Sequence, residues 1–297
     1  MAVATLDGQP LEAKPESTLH KIWFRFVHNK LALISMIFII IEILVAIFAA
    51  QIAPWDPIKH QDYAAIYKLP FKNPAYILGT DDLGRDVLSR LIYGSRISIS
   101  IGILSQIAVL VIGLPLGALA GFLGGWVDYV LQRIIDILSS IPTYFFYILL
   151  ILVLGSGFFN IILAMAFTGW IGIARLVRGQ VLSLRETDYV RAARAMGANT
   201  RQIVAKHLIR NSLTPVIVSM ALGIPGAMFT EAGLSWLGIG IAPPTPSWGQ
   251  MIGQYQMFIQ TYWHLTVFPA IILATTMLAW IYVGNGIRDA LDPSIQI

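Results

Sequence analysis

The fold class this sequence predicts is an all-α membrane protein with six transmembrane helices, and three observations predict it. The first is composition: of 297 residues, 57% are hydrophobic and only 12% are charged, against about 25% charged in soluble globular domains. The second is the length of the apolar runs. Residues 31–53, 97–121, 131–154, 158–177, 213–230 and 265–284 each approach the roughly 20 residues that cross a ~30 Å hydrocarbon core. The third is where the positive charge falls. With the N-terminus inside, 14 of the Lys and Arg residues lie on the inner side, and six lie outside, all in the first long loop. Cytoplasmic loops hold the positive excess, so the chain reads as N-in, C-in. The net charge of +4 is then a topology signal, and no basic face on a soluble domain points to nucleic acid.

Residues 1–30 read as a polar cytoplasmic segment. The apolar run that follows is too long for a signal-peptide core, so residues 31–53 form an uncleaved first transmembrane helix. Glu42 is the only acid near the middle of a span. Facing it to lipid costs at least about 3 kcal/mol, so it meets protein or water, or is protonated. A structural contact is the favoured role and a functional acid the alternative.

Residues 54–96 form an extracytoplasmic loop in which Asp56, Asp62, Asp81, Asp82 and Asp86 nearly offset the basic residues. "GTDDLGRDVLSR" predicts a turn at Gly79 and Gly84 that leads into a helix just outside the second span. Asp81, Asp82, Arg85, Asp86 and Arg90 are close enough in sequence for local ion pairs, worth about 0–1 kcal/mol each when exposed. A structural clasp is the first expectation for them and a docking surface the second.

Residues 97–285 form a five-helix core domain. Gly113, Gly117 and Gly121 recur every four residues around Pro115, a small-residue ridge that lets another helix approach closely. Asp128 and Asp136 read as caps or interfacial polarity at the cytoplasmic end of the third span, and Pro142 and Pro269 as kinks. Gly223, Pro225 and Gly226 interrupt the fifth span, where the missing backbone donor must be satisfied by neighbours or cavity water. Either a pathway lined by broken helices or ordinary membrane-helix composition accounts for them. Glu231, just beyond, meets solute or another helix end. "APPTPSWG" at residues 242–249 holds three prolines in four residues, which force extended backbone, so a loop dipping back toward the outer mouth is expected. Residues 286–297 are a cytoplasmic tail.

Between the fourth and fifth spans lies a polar cytoplasmic loop, residues 178–210. Thr187 is placed to cap a short helix, with Asp188 in its first turn at the positive end of the dipole. Tyr189, Ala192, Ala193 and Met196 fall on one helical face, small at its centre and flanked by Arg191 and Arg194. Gly197 supplies the left-handed stop, and Asn199 or Thr200 caps a second helix through Ile203. A helix lying on lipid favours large apolar residues, so this small-faced knob suits a groove in a protein partner.

Catalytic apparatus is not visible. No Gly precedes a Lys, so there is no phosphate loop, HExxH and GxSxG are missing, the five His are scattered, and there is no Cys. Energy for uphill transport must come from an ion gradient or another subunit.

"RAARAMG" followed by "IVAKHLIRN" resembles the EAA loop of permease subunits in binding-protein-dependent ATP-binding-cassette importers, with Arg191 where the family often has Glu and Arg210 where it has Pro. "LGTDDLGRDVLSRLIYGSRISISIG" (78–102), "EAGLSWLGIGIAPPTPSWGQMI" (231–252) and "GIRDALDP" (286–293) resemble the dipeptide/oligopeptide subfamily, specifically its C-type subunit. The resemblance implies the type I ABC importer permease fold in the cytoplasmic membrane. It also implies a heterodimer with a second permease, two ATPase subunits that carry the ATP and Mg, an extracytoplasmic solute-binding protein, and a peptide substrate. No cofactor or metal is expected on this chain. In the family the loop is the coupling helix inserted into an ATPase cleft, which carries over to Asp188, Tyr189, Arg191, Ala192, Ala193, Arg194, Met196 and Gly197. Gly223, Pro225 and Glu231 are the candidates for pathway or gating, and Gly79, Asp81, Asp82, Gly84, Arg85 and Asp86 form the extracytoplasmic motif. Nickel, glutathione or oligosaccharide importers share these motifs. An ion-coupled carrier using Glu42 and a membrane scaffold are the competing classes.

Overall fold

The computed structural model describes residues 5–6, 9–10, 18–199, 202–203 and 208–292 of the chain. Apart from a short antiparallel pairing of Thr5–Leu6 (β1) with Gln9–Pro10 (β2), the described residues are helices and their connections. Five helices are long and apolar enough to cross a membrane, or six if one sharply bent pair counts as a span.

Helix α1, Thr18–His28, lies in what the sequence presents as a polar segment. Ile22 and Phe26, one turn apart, face a cluster with Ala279, Val283 and Ala290. The Arg25 guanidinium donates to the Asp292 carbonyl at 2.9 Å, tying the two ends of the chain together. Asn29 then caps α2, Lys30–Ile47, accepting from the Ala32 N–H. After a turn at Phe48, α3, Ala49–Ile52, completes the first expected span. Glu42 is buried in α2 and accepts from the Thr276 hydroxyl at 2.6 Å, the structural contact expected of it.

Helix α4, Val87–Leu123, is 37 residues long, about 55 Å at 1.5 Å per residue. It starts ten residues before the expected second span because Asp86 caps it inside the polar motif. Against it runs α7, Phe158–Leu184. A Cβ on Gly113, Gly117 or Gly121 would lie 2.7, 2.4 or 2.9 Å from the carbonyls of Trp170, Ala174 and Arg178. The glycine ridge therefore brings two backbones into contact, which any side chain would hold apart.

The third expected span is not one helix. It forms α5, Gly125–Ser139, and α6, Thr143–Leu154, which meet at 84°. Pro142 lacks the N–H that would continue the ladder, and its ring disfavours helical backbone at Ile141, so the chain breaks where only a kink was expected. Asp128 of α5 forms a two-pronged ion pair with Arg178 of α7. That joins two helices rather than capping one.

A short helix α8, Asp188–Ala195, separates α7 from α9, Arg210–Trp236. Contrary to expectation, α9 runs unbroken through Pro215 and Pro225. A Cβ on Gly223 would sit 2.3 Å from Gln106 Oε1 of α4, so this glycine admits a neighbouring side chain. After Trp236 the chain reverses through Gly238, passes the cis Pro243–Pro244 bond, and forms α10, Trp248–Tyr255. The fully buried Trp248 donates from its N–H to Ser98 Oγ and from its indole to the Leu91 carbonyl, both at 3.0 Å. Ser98 lies about three turns into α4, so the proline-rich loop and α10 dip back into the bundle as expected. The last helix, α11, is His264–Leu291; it extends beyond the expected sixth span and takes up half of the expected tail.

Candidate functional site

Three groups of residues singled out by sequence can be placed: a knob at the α7–α8 end, a polar clasp at the opposite end, and a strut between α9 and α10.

The knob begins with a double use of Thr187. Its hydroxyl donates to the Leu184 carbonyl at 2.6 Å, finishing α7, while its own carbonyl accepts from the Val190 and Arg191 N–H groups. The expected capping position is right, but the side chain caps the preceding helix. The expected face divides in two. Val190 is buried at the root against Val177, Val181, Ile203 and Leu208, and Ala193 is buried as well. Tyr189, Ala192 and Met196 point outward, with Met196 at 82% exposure. Ala193 therefore belongs to the core, because α8 must bury one apolar stripe to be held to the bundle at all. Arg191 folds back to donate to the Glu186 carbonyl at 2.8 Å and stands 3.9 Å from Asp188. The Arg194 side chain lies outside the described residues. Gly197 adopts φ +87°, and the Ala198 N–H reaches the Ala193 carbonyl at 3.0 Å, a Schellman closure. Asn199 and Gln202 then exchange backbone-to-side-chain bonds of 2.9 and 3.0 Å, a capping box for the next turn. The rest of the expected second loop helix, including residues 200–201 and 204–207, lies outside the described residues. Leu208 and Ile209 run directly into α9 at Arg210.

The clasp is buried, which revises the exposed ion pairs expected from sequence. Asp81 and Arg90 are 0% exposed, and Arg85 and Asp86 are 2%. Asp81 accepts from the Leu83 and Arg85 N–H groups and from Arg85 Nε at 2.7 Å, with Arg90 Nη1 at 3.4 Å. Asp86 accepts from the Ser89 N–H and hydroxyl at 2.8 and 2.6 Å, yet burial pushes its carboxyl above the usual carboxylate range. Gly79 and Gly84, at φ +82° and +71°, fit where a Cβ would strike the Lys68 or Asp62 carbonyls. Asp82 accepts from the Tyr255 hydroxyl at 2.5 Å, and Arg90 donates to Gln250 at 3.1 Å. Burial and the neighbouring Asp81 push the Tyr255 phenol up. The two polar sequence motifs thus close on each other, α4 on α10.

Glu231 supplies the strut. It is fully buried, and Oε1 accepts from Ser235 and Ser247 hydroxyls at 2.9 and 2.8 Å. Ser247 in turn caps α10 through the Gln250 N–H, so of the two expected partners Glu231 meets the helix end. Gly249 is required beside it, since a Cβ there would lie 2.6 Å from Glu231 Oε2. Gly223 and Pro225 sit in the unbroken middle of α9, against α4. Among the described residues, no group of three or more His, Asp and Glu is placed to hold a metal.

Residues 113–297 match the family described as the binding-protein-dependent transport system inner membrane component. Residues 17–70 match the N-terminal transmembrane domain of oligopeptide transport permease C. The chain is 42% identical to the oligopeptide transport system permease protein OppC of Bacillus subtilis, over 98% of this chain and 94% of that one. It is 36% identical to the glutathione transport system permease protein GsiD of Pectobacterium atrosepticum, over 93% and 91%. In fold it resembles a chain of the inward-facing MetNI methionine ABC transporter, with a TM-score of 0.53 at 22% identity, covering 67% of this chain and 96% of that one. With five or six apolar spans among the described residues, a glycine-stopped knob and these likenesses together, the chain belongs to the family of binding-protein-dependent transport system inner membrane components, as a multi-pass permease subunit of an ABC importer.

Proposed function

We propose that this permease carries di- or oligopeptides across the cytoplasmic membrane, with α8 as the handle through which ATPase subunits drive it. The N- and C-termini and α8 face the cytoplasm, by the distribution of Lys and Arg. The functional assembly pairs the chain with a second permease, two ATPases that bind ATP and Mg, and an extracytoplasmic solute-binding protein. The observation that carries the handle is the division of α8: its root, Val190 and Ala193, is buried, and Ala192 and Met196 are exposed. A short helix locked on one side and exposed on the other transmits a push. ATP binding closes the ATPase pair, α8 moves with its cleft, and α7 and α9 tilt to open the cavity outward; hydrolysis resets them. Nucleotide shifts this equilibrium only through its differential affinity for the two states.

A peptide cargo is supported by the OppC likeness, and the GsiD likeness supports glutathione as the second reading. Replacing Ala192 with Trp in the assembled transporter is expected to lower uptake at least about tenfold, a coupling loss of about 1.4 kcal/mol, because the outward face no longer fits a groove. Unchanged uptake in that variant overturns the handle. Transport of a labelled oligopeptide and of glutathione by the same vesicles decides the cargo.

A further inference from the structure

Helix α1 packs one stripe on the bundle and leaves a mixed aromatic and basic surface open. Ile22 and Phe26 face α11, whereas Trp23 is 55% exposed and Phe24 52%. The depth of these rings follows from helix register. Glu42 of α2 bonds Thr276 of α11, and a Cβ on Gly286 would strike Ala32, so the two helices run antiparallel with Lys30 level with Arg288. Both are exposed cations at the inner ends of apolar spans, and that level marks the inner edge of the hydrocarbon layer. Phe26 reaches the apolar side of it, its ring 3.1 Å from the same Cβ on Gly286. The Trp23 ring stands 6.2 Å from the Phe26 ring, so an open indole sits at the boundary, where Trp is enriched. The exposed row of Leu31, Ile34 and Ile41 on α2 continues outward from there as the lipid-facing side of a span. Around the aromatics the surface is cationic. Lys21, Lys30 and Arg288 are exposed, and Asp289 and Asp292 are the acids of the described residues beside them. The criterion that suits small-faced α8 to a protein groove suits α1 to lipid, because large aromatic residues on a basic helix favour the membrane surface.

We propose that α1 is a binding surface for anionic phospholipid of the inner leaflet, in which Trp23 and Phe24 enter the headgroup layer and Lys21, Lys30 and Arg288 hold lipid phosphates. The two ammonium groups act as point charges and the guanidinium as a two-pronged donor, and a lipid of net negative charge leaves no competing cation beside them. Arg25 donates to the Asp292 carbonyl, so lipid held on α1 also fixes the inner end of α11 at the membrane surface. The binding surface depends on the inward orientation of the N-terminus and on no property of the transported solute.

The chain has no cysteine, so a single bimane fluorophore can be attached at Trp23→Cys or Phe24→Cys, each variant keeping the other ring. The whole transporter, its other subunits freed of reactive cysteines, is reconstituted in vesicles of equal phosphatidylcholine and phosphatidylglycerol. One of the two lipids carries a spin label near the top of an acyl chain, which quenches bimane on contact. Ile34→Cys, on the exposed side of α2, gives the quenching of a lipid-facing position. Both α1 positions are expected to be quenched, with phosphatidylglycerol preferred about threefold or more over phosphatidylcholine. Combining Lys21→Gln, Lys30→Gln and Arg288→Gln is expected to bring that preference to about one, while quenching at I34C stays as it was. Quenching at I34C but at neither α1 position overturns the proposal, because water or another subunit then covers the helix. Equal quenching by the two lipids in the parent overturns it, and so does a preference that survives the triple substitution. Quenching is read without uptake, so none of these results bears on the α8 handle.

Discussion

At the residue scale, burial decides which charges matter. Asp81 holds two buried guanidiniums, with Arg85 at 2.7 Å and Arg90 at 3.4 Å. Removing its charge leaves Arg90 with the neutral Gln250 acceptor and Arg85 with its longer 3.4 Å contact to Asp82, and breaking a buried pair costs about 3–5 kcal/mol. Asp81→Asn is therefore expected to lower the thermal stability of the purified complex sharply. Asp136→Asn, at a half-exposed carboxylate 3.8 Å from Arg133, is expected to change it by less than about 0.5 kcal/mol. Equal shifts in the two melting curves count against the clasp as a structural device. The acids and bases of this motif were legible in sequence, but their burial was not. Tyr255 lies 173 residues from Asp82, and Gln250 lies 160 from Arg90, and no local pattern announces a partner at such distance. The same limit hid the Ser247 partner of Glu231. On the knob, helical spacing put Ala192 and Ala193 on one stripe, and only the packing of the folded chain separates them into an exposed face and a buried root.

At the element scale, periodicity and length recovered the apolar helices because a membrane span is a one-dimensional signal, an unbroken run of suitable length. What such a run cannot report is direction. The run from residue 131 to 154 has the hydropathy of one span and the geometry of two helices at 84°, and Pro225 leaves α9 unbroken while Pro142 ends α5. The difference is in the neighbours: Gly223 brings α9 against α4, and residues 139–145 lie bare. Helix α1 went unread because its basic residues interrupt its apolar ones, and the partners of Ile22 and Phe26 on α11 stand more than 250 residues away. The glycine ridge was legible, and it carries a prediction. Gly117 meets the Ala174 carbonyl more closely than a methyl group allows. Gly117→Leu is expected to separate α4 from α7 and to destabilise the subunit by more than the about 1–3 kcal/mol of ordinary overpacking, since backbone must move. Loss of folded protein on size-exclusion in mild detergent checks it, and Gly172→Leu, where no atom lies within 4 Å, is the control expected to keep normal yield.

At the scale of the whole molecule, rigid contacts run from the knob to the clasp. The α8 root is buried against α7, the glycine ridge joins α7 to α4, Arg90 links α4 to α10, and Glu231 links α10 to α9. A displacement of α8 therefore has a packed route to the opposite end. Glu42 stands to one side of it. Its bond to Thr276 ties α2 to α11, and a carboxylate that carried ions would have to leave that partner in every cycle. Glu42→Gln keeps an acceptor for the Thr276 hydroxyl and removes the charge. In proteoliposomes supplied with ATP, this variant is expected to transport within about threefold of the parent, a change below about 1 kcal/mol, and collapsing the proton gradient with an ionophore is expected to leave both rates unaltered. Uptake by the variant that falls more than about tenfold and follows the imposed gradient instead of ATP assigns the energy source to Glu42 and removes the motor from α8.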